Sequence, residues 1–291
     1  MTALAPHTGH ARVVGLTGAP GVGKSTTTNA LIAALRADGR RVGVLAVDPS
    51  SPFSGGALLG DRIRMHDHAG DPGVYIRSMA SRGHLGGLSW STPQAIRVLD
   101  AAGFDVVLVE TVGVGQSEVE IAGQADTTIV LLAPGMGDGI QAAKAGILEI
   151  GDLYVVNKAD RDGADQVRRD LRGMLNLAER RDDAWRQPIL KISAARQEGL
   201  EEVVAEIDRH HEALVAGGEL HRRRMRRARL EVEAIAVADL RRRWAGVGVR
   251  SELEGLADDV ASGRLDPYRA ADALLAAHLA DPDREPDADP V

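Results

Sequence analysis

Eight residues near the start of the chain have the types and spacing to hold a charged ligand: Gly18-Ala19-Pro20-Gly21-Val22-Gly23-Lys24-Ser25. They fit G-x-x-x-x-G-K-[ST], a loop whose backbone N–H groups converge on phosphate oxygens. The glycines turn those N–H groups toward one anion because no Cβ blocks the turn. A helix starting here adds its partial positive charge. Lys24 can reach the β- and γ-phosphates, and the Ser25 hydroxyl can face Mg²⁺. Gly18 to Ser25, with Thr26 just beyond, are the candidate phosphate-binding residues. The competing reading, a glycine turn before a packing helix, leaves most of the eight-residue pattern unexplained.

Two acids and a second motif follow. Asp48 ends the apolar run Arg41 to Val47. A carboxylate at the C-terminal end of a strand beside such a loop faces the ligand crevice of an open α/β sheet. Glu110 ends the run Asp105 to Val109 and opens into the glycine-rich Thr111 to Gln116; an acid there can hold Mg²⁺ directly or through water. Asn157-Lys158-Ala159-Asp160 is N-K-x-D after the apolar Leu153 to Val156. Asp160 can accept hydrogen bonds from guanine N1–H and the 2-amino group. Adenine lacks that donor pair, so a carboxylate there favours guanine. Asn157 and the stem of Lys158 would brace the base and the neighbouring loop. Ser193-Ala194-Ala195, ending a further strand, fits a second base-contacting loop with N–H groups near the base oxygen. The residues together describe a site for GTP or GDP with Mg²⁺.

The elements that must position these residues can be read from periodicity. Val13 to Leu16 reads as a buried strand, and Thr26 to Leu35 as a helix with Ala30, Leu31, Ala34 and Leu35 at helical spacing. Strands are expected over Arg41–Val47, Val74–Arg77, Asp105–Glu110, Thr127–Ala133, Leu153–Val156 and Leu190–Ala195. Helices are expected over Thr92–Ala102 and from Leu200 to Leu214, and Asp61 to Met65 reads as a helix start. This alternation predicts an α/β fold with a mostly parallel central sheet flanked by helices. His84, in a glycine-rich loop, reads as a solvated histidine rather than a ligand. Gly217-Gly218 marks a composition break. The basic run His221 to Arg229 reads as a solvated helix face, with a partner or nucleic-acid surface as its alternative. Leu230, Val237 and Trp244 lie seven apart, a partner-facing stripe on the same helix. The expected organisation is a disordered 1–11, a nucleotide-binding domain over 12–216, a helical arm over 217–280 and a disordered tail over 281–291.

Bulk properties bound the rest. With 291 residues the chain can bury one large core and carry a small appendage. A net charge of −7 argues against a nucleic-acid partner as the main role. The absence of cysteine excludes disulfides and thiolate metal sites. No apolar run approaches the ~18 residues of a membrane span, and the first residues lack the apolar core of a signal peptide. The expected location is cytoplasmic, with no membrane partner.

The chain resembles the MeaB/MMAA/ArgK family of P-loop GTPases, chaperones of adenosylcobalamin-dependent acyl-CoA mutases. The resemblance rests on Gly18–Ser25, Val47 to Ser51, Gly60-Asp61 with Arg64-Met65, Arg82 to Gly87, the run Glu110-Thr111-Val112-Gly113-Val114-Gly115-Gln116-Ser117-Glu118, and Asn157–Asp160. It implies that Ser25, Asp48, Asp61 and Glu110 line the Mg²⁺ and γ-phosphate site. It implies that Asp48 and Asp61 bracket a first switch, that Glu110 to Gln116 form a second, and that Ala133 to Lys144 form an additional one. Lys24, Asp48, Asp61, Glu110 and Lys144 are the catalytic candidates it implies. A mutase, methylmalonyl-CoA mutase by default, is the implied partner, and the C-terminal helices resemble an arm through which such proteins form homodimers. The family's helical N-terminal extension has no counterpart expected before the first strand. Two other functions use a related fold: nickel insertion, which calls on Cys- and His-rich motifs, and phosphoryl transfer by a kinase. A partition-type ATPase would place a lysine where Ala19 stands.

Overall fold

A computed structural model describes residues 1–48, 66–68, 70–80, 91–111, 117–135, 147–177, 185–243 and 247–279. Seven strands form one sheet: β1 (Arg12–Thr17), β2 (Val42–Asp48), β3 (Val74–Ala80), β4 (Val106–Thr111), β5 (Thr127–Leu132), β6 (Leu153–Val156) and β7 (Ile189–Lys191). Their order is β3-β2-β4-β1-β5-β6-β7, and every pair is parallel. The helices are α1 (Lys24–Ala37), α2 (Thr92–Ala101), α3 (Ser117–Gln124), α4 (Ile147–Ile150), α5 (Ala164–Leu177), α6 (Leu200–Ala216), α7 (Glu219–Arg243), α8 (Val247–Ala261) and α9 (Pro267–Leu279). The expectation of an α/β sheet flanked by helices is met, and its described strands are parallel throughout.

The continuous apolar runs follow from burial on both faces. Val14 and Leu16 of β1 join Leu108, Ile129, Leu31, Leu35, Val203 and Ile207 in a core under α1 and α6. Their neighbours in the pleat point the other way. Val13, Val107 and Val109 pack with Ile96 and Leu99 of α2 and Ile121 of α3, while Val130 and Tyr154 pack with Leu171 and Leu175 of α5. Gly15 sets the depth of α3: a Cβ there would lie 2.5 Å from Cγ1 of Ile121. Of these helices, α3 and α5 are absent from the sequence reading. The last strand also stops early, at Lys191. Ser193 instead exchanges two backbone hydrogen bonds of 3.1 Å with Glu198, and Ala194–Arg196 forms a 3₁₀ turn.

Residues 1–11, read above as disordered, are held in place. Thr2–His7 forms a 3₁₀ helix beside α2. The Asp100 carboxylate accepts the backbone N–H groups of Gly9, His10 and Ala11. The basic run is also partly consumed internally. Arg223 donates two 2.9 Å bonds to Asp152, and Arg224 donates to Asp126 at 2.7 Å. Both acids sit just before strands, at β6 and β5, with side chains only 11 % and 1 % exposed. Two of the arginines read as a solvated face are thus the counter-ions of buried acids.

The chain divides into two compact units, Met1–Arg224 and Met225–Val291. In the second, α8 packs on α9. Gly263, in a left-handed conformation, ends α8, and Asp266 caps α9 by accepting the N–H groups of Tyr268 and Arg269. Met225, Leu230, Ile235, Val237 and Leu240 of α7 are exposed; Trp244 and the tail over 281–291 lie outside the described residues.

Candidate nucleotide site

The phosphate loop leaves β1, whose neighbours β4 and β5 lie on opposite sides of it. This is the switch point of the sheet, where the C-terminal strand ends open a crevice. Gly23 precedes α1 with φ +97°, and a Cβ there would collide with the side-chain amide of Asn157. Only glycine suits a position both left-handed and this close to a neighbour. Lys24 is 7 % exposed and donates to the Gly18 and Ala19 carbonyls at 2.7 and 3.2 Å. Thr26 is exposed on the first turn.

The end of β6 is tied to this loop. Asn157 is buried; its Nδ2 donates to the Val22 carbonyl at 2.9 Å. Its Oδ1 accepts from the backbone N–H groups of Lys158 at 2.7 Å and Ala194 at 3.1 Å. Lys158 takes a left-handed φ of 57°, and its Nζ donates to the Gly21 carbonyl at 2.7 Å. Asn157 is therefore the joint between three loops. Beyond it, the Ser193 hydroxyl donates to Asp160 Oδ1 at 2.7 Å. That bond, a backbone N–H and the positive Arg196 and Arg161 hold the Asp160 carboxyl below the usual carboxylate range, so it stays an acceptor. The Ser193 N–H goes to the Glu198 carbonyl and that of Ala194 to Asn157, while Ala195 is exposed beside them.

Glu110 lies near the end of β4 and is 4 % exposed. Its Oε1 accepts from Ser25 Oγ at 2.7 Å and its Oε2 from Thr28 Oγ1 at 2.8 Å. A buried carboxylate beside the loop's serine supplies hard oxygen donors, the chemistry that suits Mg²⁺. Among the described residues no three Asp, Glu or His side chains converge as a metal cluster; a Mg²⁺ held by few protein oxygens and by phosphates needs none. Thr28 was not singled out from sequence, although its position three residues after Ser25 puts both hydroxyls on one helix face. Asp48 ends β2 at the same edge of the sheet. Asp61, His84, residues 112–116 and Lys144 lie outside the described residues.

A separate cavity of about 670 Å³ lies at the opposite end of the sheet, lined by His10, Arg12, Arg40, Asp100 and Phe104 among others. Arg12 and Arg40 are both paired there with Asp208, and Asp100 is occupied by the N-terminal backbone. These charged groups of the cavity are thus already paired, with Asp208 or with backbone.

Comparison with known proteins gives a family and the same fold. A model of the family described as "Methylmalonyl Co-A mutase-associated GTPase MeaB" matches residues 1–247. A Mycobacterium tuberculosis protein named "Probable GTPase" is 43 % identical over 276 residues, covering 94 % of this chain and 82 % of its own. The mitochondrial methylmalonic aciduria type A homolog of Mus musculus is 38 % identical over 268 residues, covering 91 % of this chain and 65 % of its own. A crystal structure described as an LAO/AO transport system kinase superposes with a TM-score of 0.69 at 28 % identity, covering 96 % of this chain and 85 % of that one. Among the described residues no helix is long and apolar enough to cross a membrane. A parallel sheet with a phosphate loop at its switch point, an N-K-x-D loop bonded to it, and this match over most of the length make the chain a member of the MeaB family of mutase-associated GTPases.

Proposed function

We propose that this protein is a Mg²⁺-dependent GTPase whose nucleotide state is read by an adenosylcobalamin-dependent acyl-CoA mutase, with methylmalonyl-CoA mutase the first candidate. In this reading it gates cofactor loading and protects the mutase, acting in the cytoplasm as a homodimer. The observation that carries the nucleotide reading is the joint at Asn157, which bonds the base-reading loop to the phosphate loop. The family description and the methylmalonic aciduria relative support the mutase as partner. The exposed apolar residues of α7 support self-association.

Each residue then has a role. Gly18 to Thr26 receive the phosphates, and Lys24 exchanges its carbonyl partners for β- and γ-oxygens. Asp160 selects guanine, with Ser193 holding the carboxylate in place, and Ala195 offers its N–H to the base oxygen. Ser25 and Glu110 would hold Mg²⁺ together with Asp48 and Asp61. Bound there, the ion neutralises charge on the β- and γ-phosphate oxygens. Lys144 and residues 112–116 belong to the segments that respond to the γ-phosphate. Hydrolysis relies on positioning and electrostatics, so turnover by the isolated chain is slow and a bound partner accelerates it. The test is GTP hydrolysis with and without purified cobalamin-dependent mutases. A several-fold rise with one mutase is expected; no change with methylmalonyl-, isobutyryl- and ethylmalonyl-CoA mutases refutes the coupling.

A further inference from the structure

Ser25 and Thr28 stand three residues apart on α1 and together hold both oxygens of one carboxylate. Thr28 is completely buried, and its hydroxyl has one proton and two acceptors: Glu110 Oε2 at 2.8 Å and the Lys24 carbonyl at 3.1 Å. The contact to Glu110 is the shorter of the two, so the proton is assigned to the bond with the Glu110 oxygen. The adjacent Thr27 differs. Its hydroxyl is equally buried and has no partner among the described residues. The bond from Thr28 to Oε2 opposes rotation of the carboxylate about its last bond and so favours the orientation in which Oε1 faces Ser25.

We infer that Thr28 is a positioning residue for Glu110: it holds the carboxylate in the plane that presents Oε1, beside Ser25, to the nucleotide's divalent cation, and so sets how tightly that cation is held. The inference rests on the reading of Ser25 and Glu110 as metal-site residues. A residue behind a ligand that orients it typically changes metal affinity by about 10- to 100-fold. Thr28→Val keeps the side chain's shape and removes the donor. Thr28→Ala removes it with less bulk, Thr28→Ser restores it, and Thr27→Val deletes a hydroxyl that has no partner among the described residues.

The experiment follows a fluorescent GDP analogue on the full chain. Mg²⁺ is titrated in from a chelated start, and melting of each variant is recorded without metal. The expected result is a half-saturating Mg²⁺ concentration about ten-fold higher for Thr28→Val and Thr28→Ala. Thr28→Ser and Thr27→Val should titrate like the unaltered protein, and affinity for the analogue in chelator should be the same for all. The inference is overturned if Thr28→Val or Thr28→Ala titrates like the unaltered protein. It is equally overturned if either weakens the analogue as much in chelator as in Mg²⁺, because Thr28 would then act through the phosphate loop. If the unaltered protein itself shows no response to Mg²⁺, the fault lies with the assignment of Ser25 and Glu110.

Discussion

Replacing Asn157 with alanine separates two ideas of what the N-K-x-D loop does. The residue is 3 % exposed and makes three hydrogen bonds, to the Val22 carbonyl and to the N–H groups of Lys158 and Ala194. Each bond contributes about 1 kcal/mol net, and a buried N–H left without an acceptor costs about 1–3 kcal/mol. Lys158 is half-buried, whereas Ala194 is 4 % exposed, so the Ala194 N–H is the one stranded without an acceptor. Taking about 1 kcal/mol for the Val22 bond and about 1–3 kcal/mol for the stranded Ala194 N–H, the sum is roughly 2–4 kcal/mol, a fall in melting temperature of about 5–10 °C for a unit of this size. A second effect follows from the position of the joint. Val22 lies inside the phosphate loop, so Asn157→Ala should weaken inorganic pyrophosphate as well as GTP. Asp160→Ala should weaken GTP and leave pyrophosphate unchanged. Scanning calorimetry and competitive titration measure both quantities. A melting shift under about 2 °C with pyrophosphate affinity intact would refute the argument that Asn157 holds the loops together.

Two further predictions concern the base of the sheet. Arg223→Ala leaves the Asp152 carboxylate, 11 % exposed, without its two arginine bonds, and should destabilise the chain by about 3 kcal/mol in urea unfolding. Adding Asp152→Asn should recover part of that loss, since it removes a buried charge left with only the Thr128 N–H and His210 beside it. His211 is pushed below its usual pKa, first by burial and then by Arg12, with Arg224 adding to it and Asp126 and Asp208 opposing. The unfolded chain therefore takes up this proton first. Stability is complete above the ordinary value near 6.5 and is lost as pH falls from there through the lower folded value. Melting temperature measured from pH 8 to pH 5 should fall more steeply for the natural protein than for His211→Gln; equal slopes would contradict the assignment.

The sequence made the site more legible than its setting. The phosphate loop, Glu110 and N-K-x-D combine residue type with spacing, and backbone geometry leaves such patterns few meanings. The strands were legible because parallel strands buried on both faces read as unbroken apolar runs such as Val106–Val109. What was missed depended on contacts distant in sequence. Helix α5 carried a signal, with Ala164, Val167, Leu171 and Leu175 at helical spacing, but its charged face masked it. Arg223 and Arg224 could not be told from solvated arginines, because their partners Asp152 and Asp126 are some 70 to 100 residues away. Ordering of residues 1–11 likewise depends on Asp100, about 90 residues on. Thr28 showed no motif; only the fold puts β4 against α1 and brings Glu110 to it.

The proposed function turns on Asp160, the carboxylate on the loop after β6 that would choose the purine for the phosphate loop bonded to it. Calorimetric titration of GTP and ATP into the natural protein and into Asp160→Ala tests it most directly. GTP should bind tighter than ATP by at least about 100-fold, with the preference erased in the variant. ATP held as tightly as GTP by the natural protein, or a preference that survives Asp160→Ala, would contradict it.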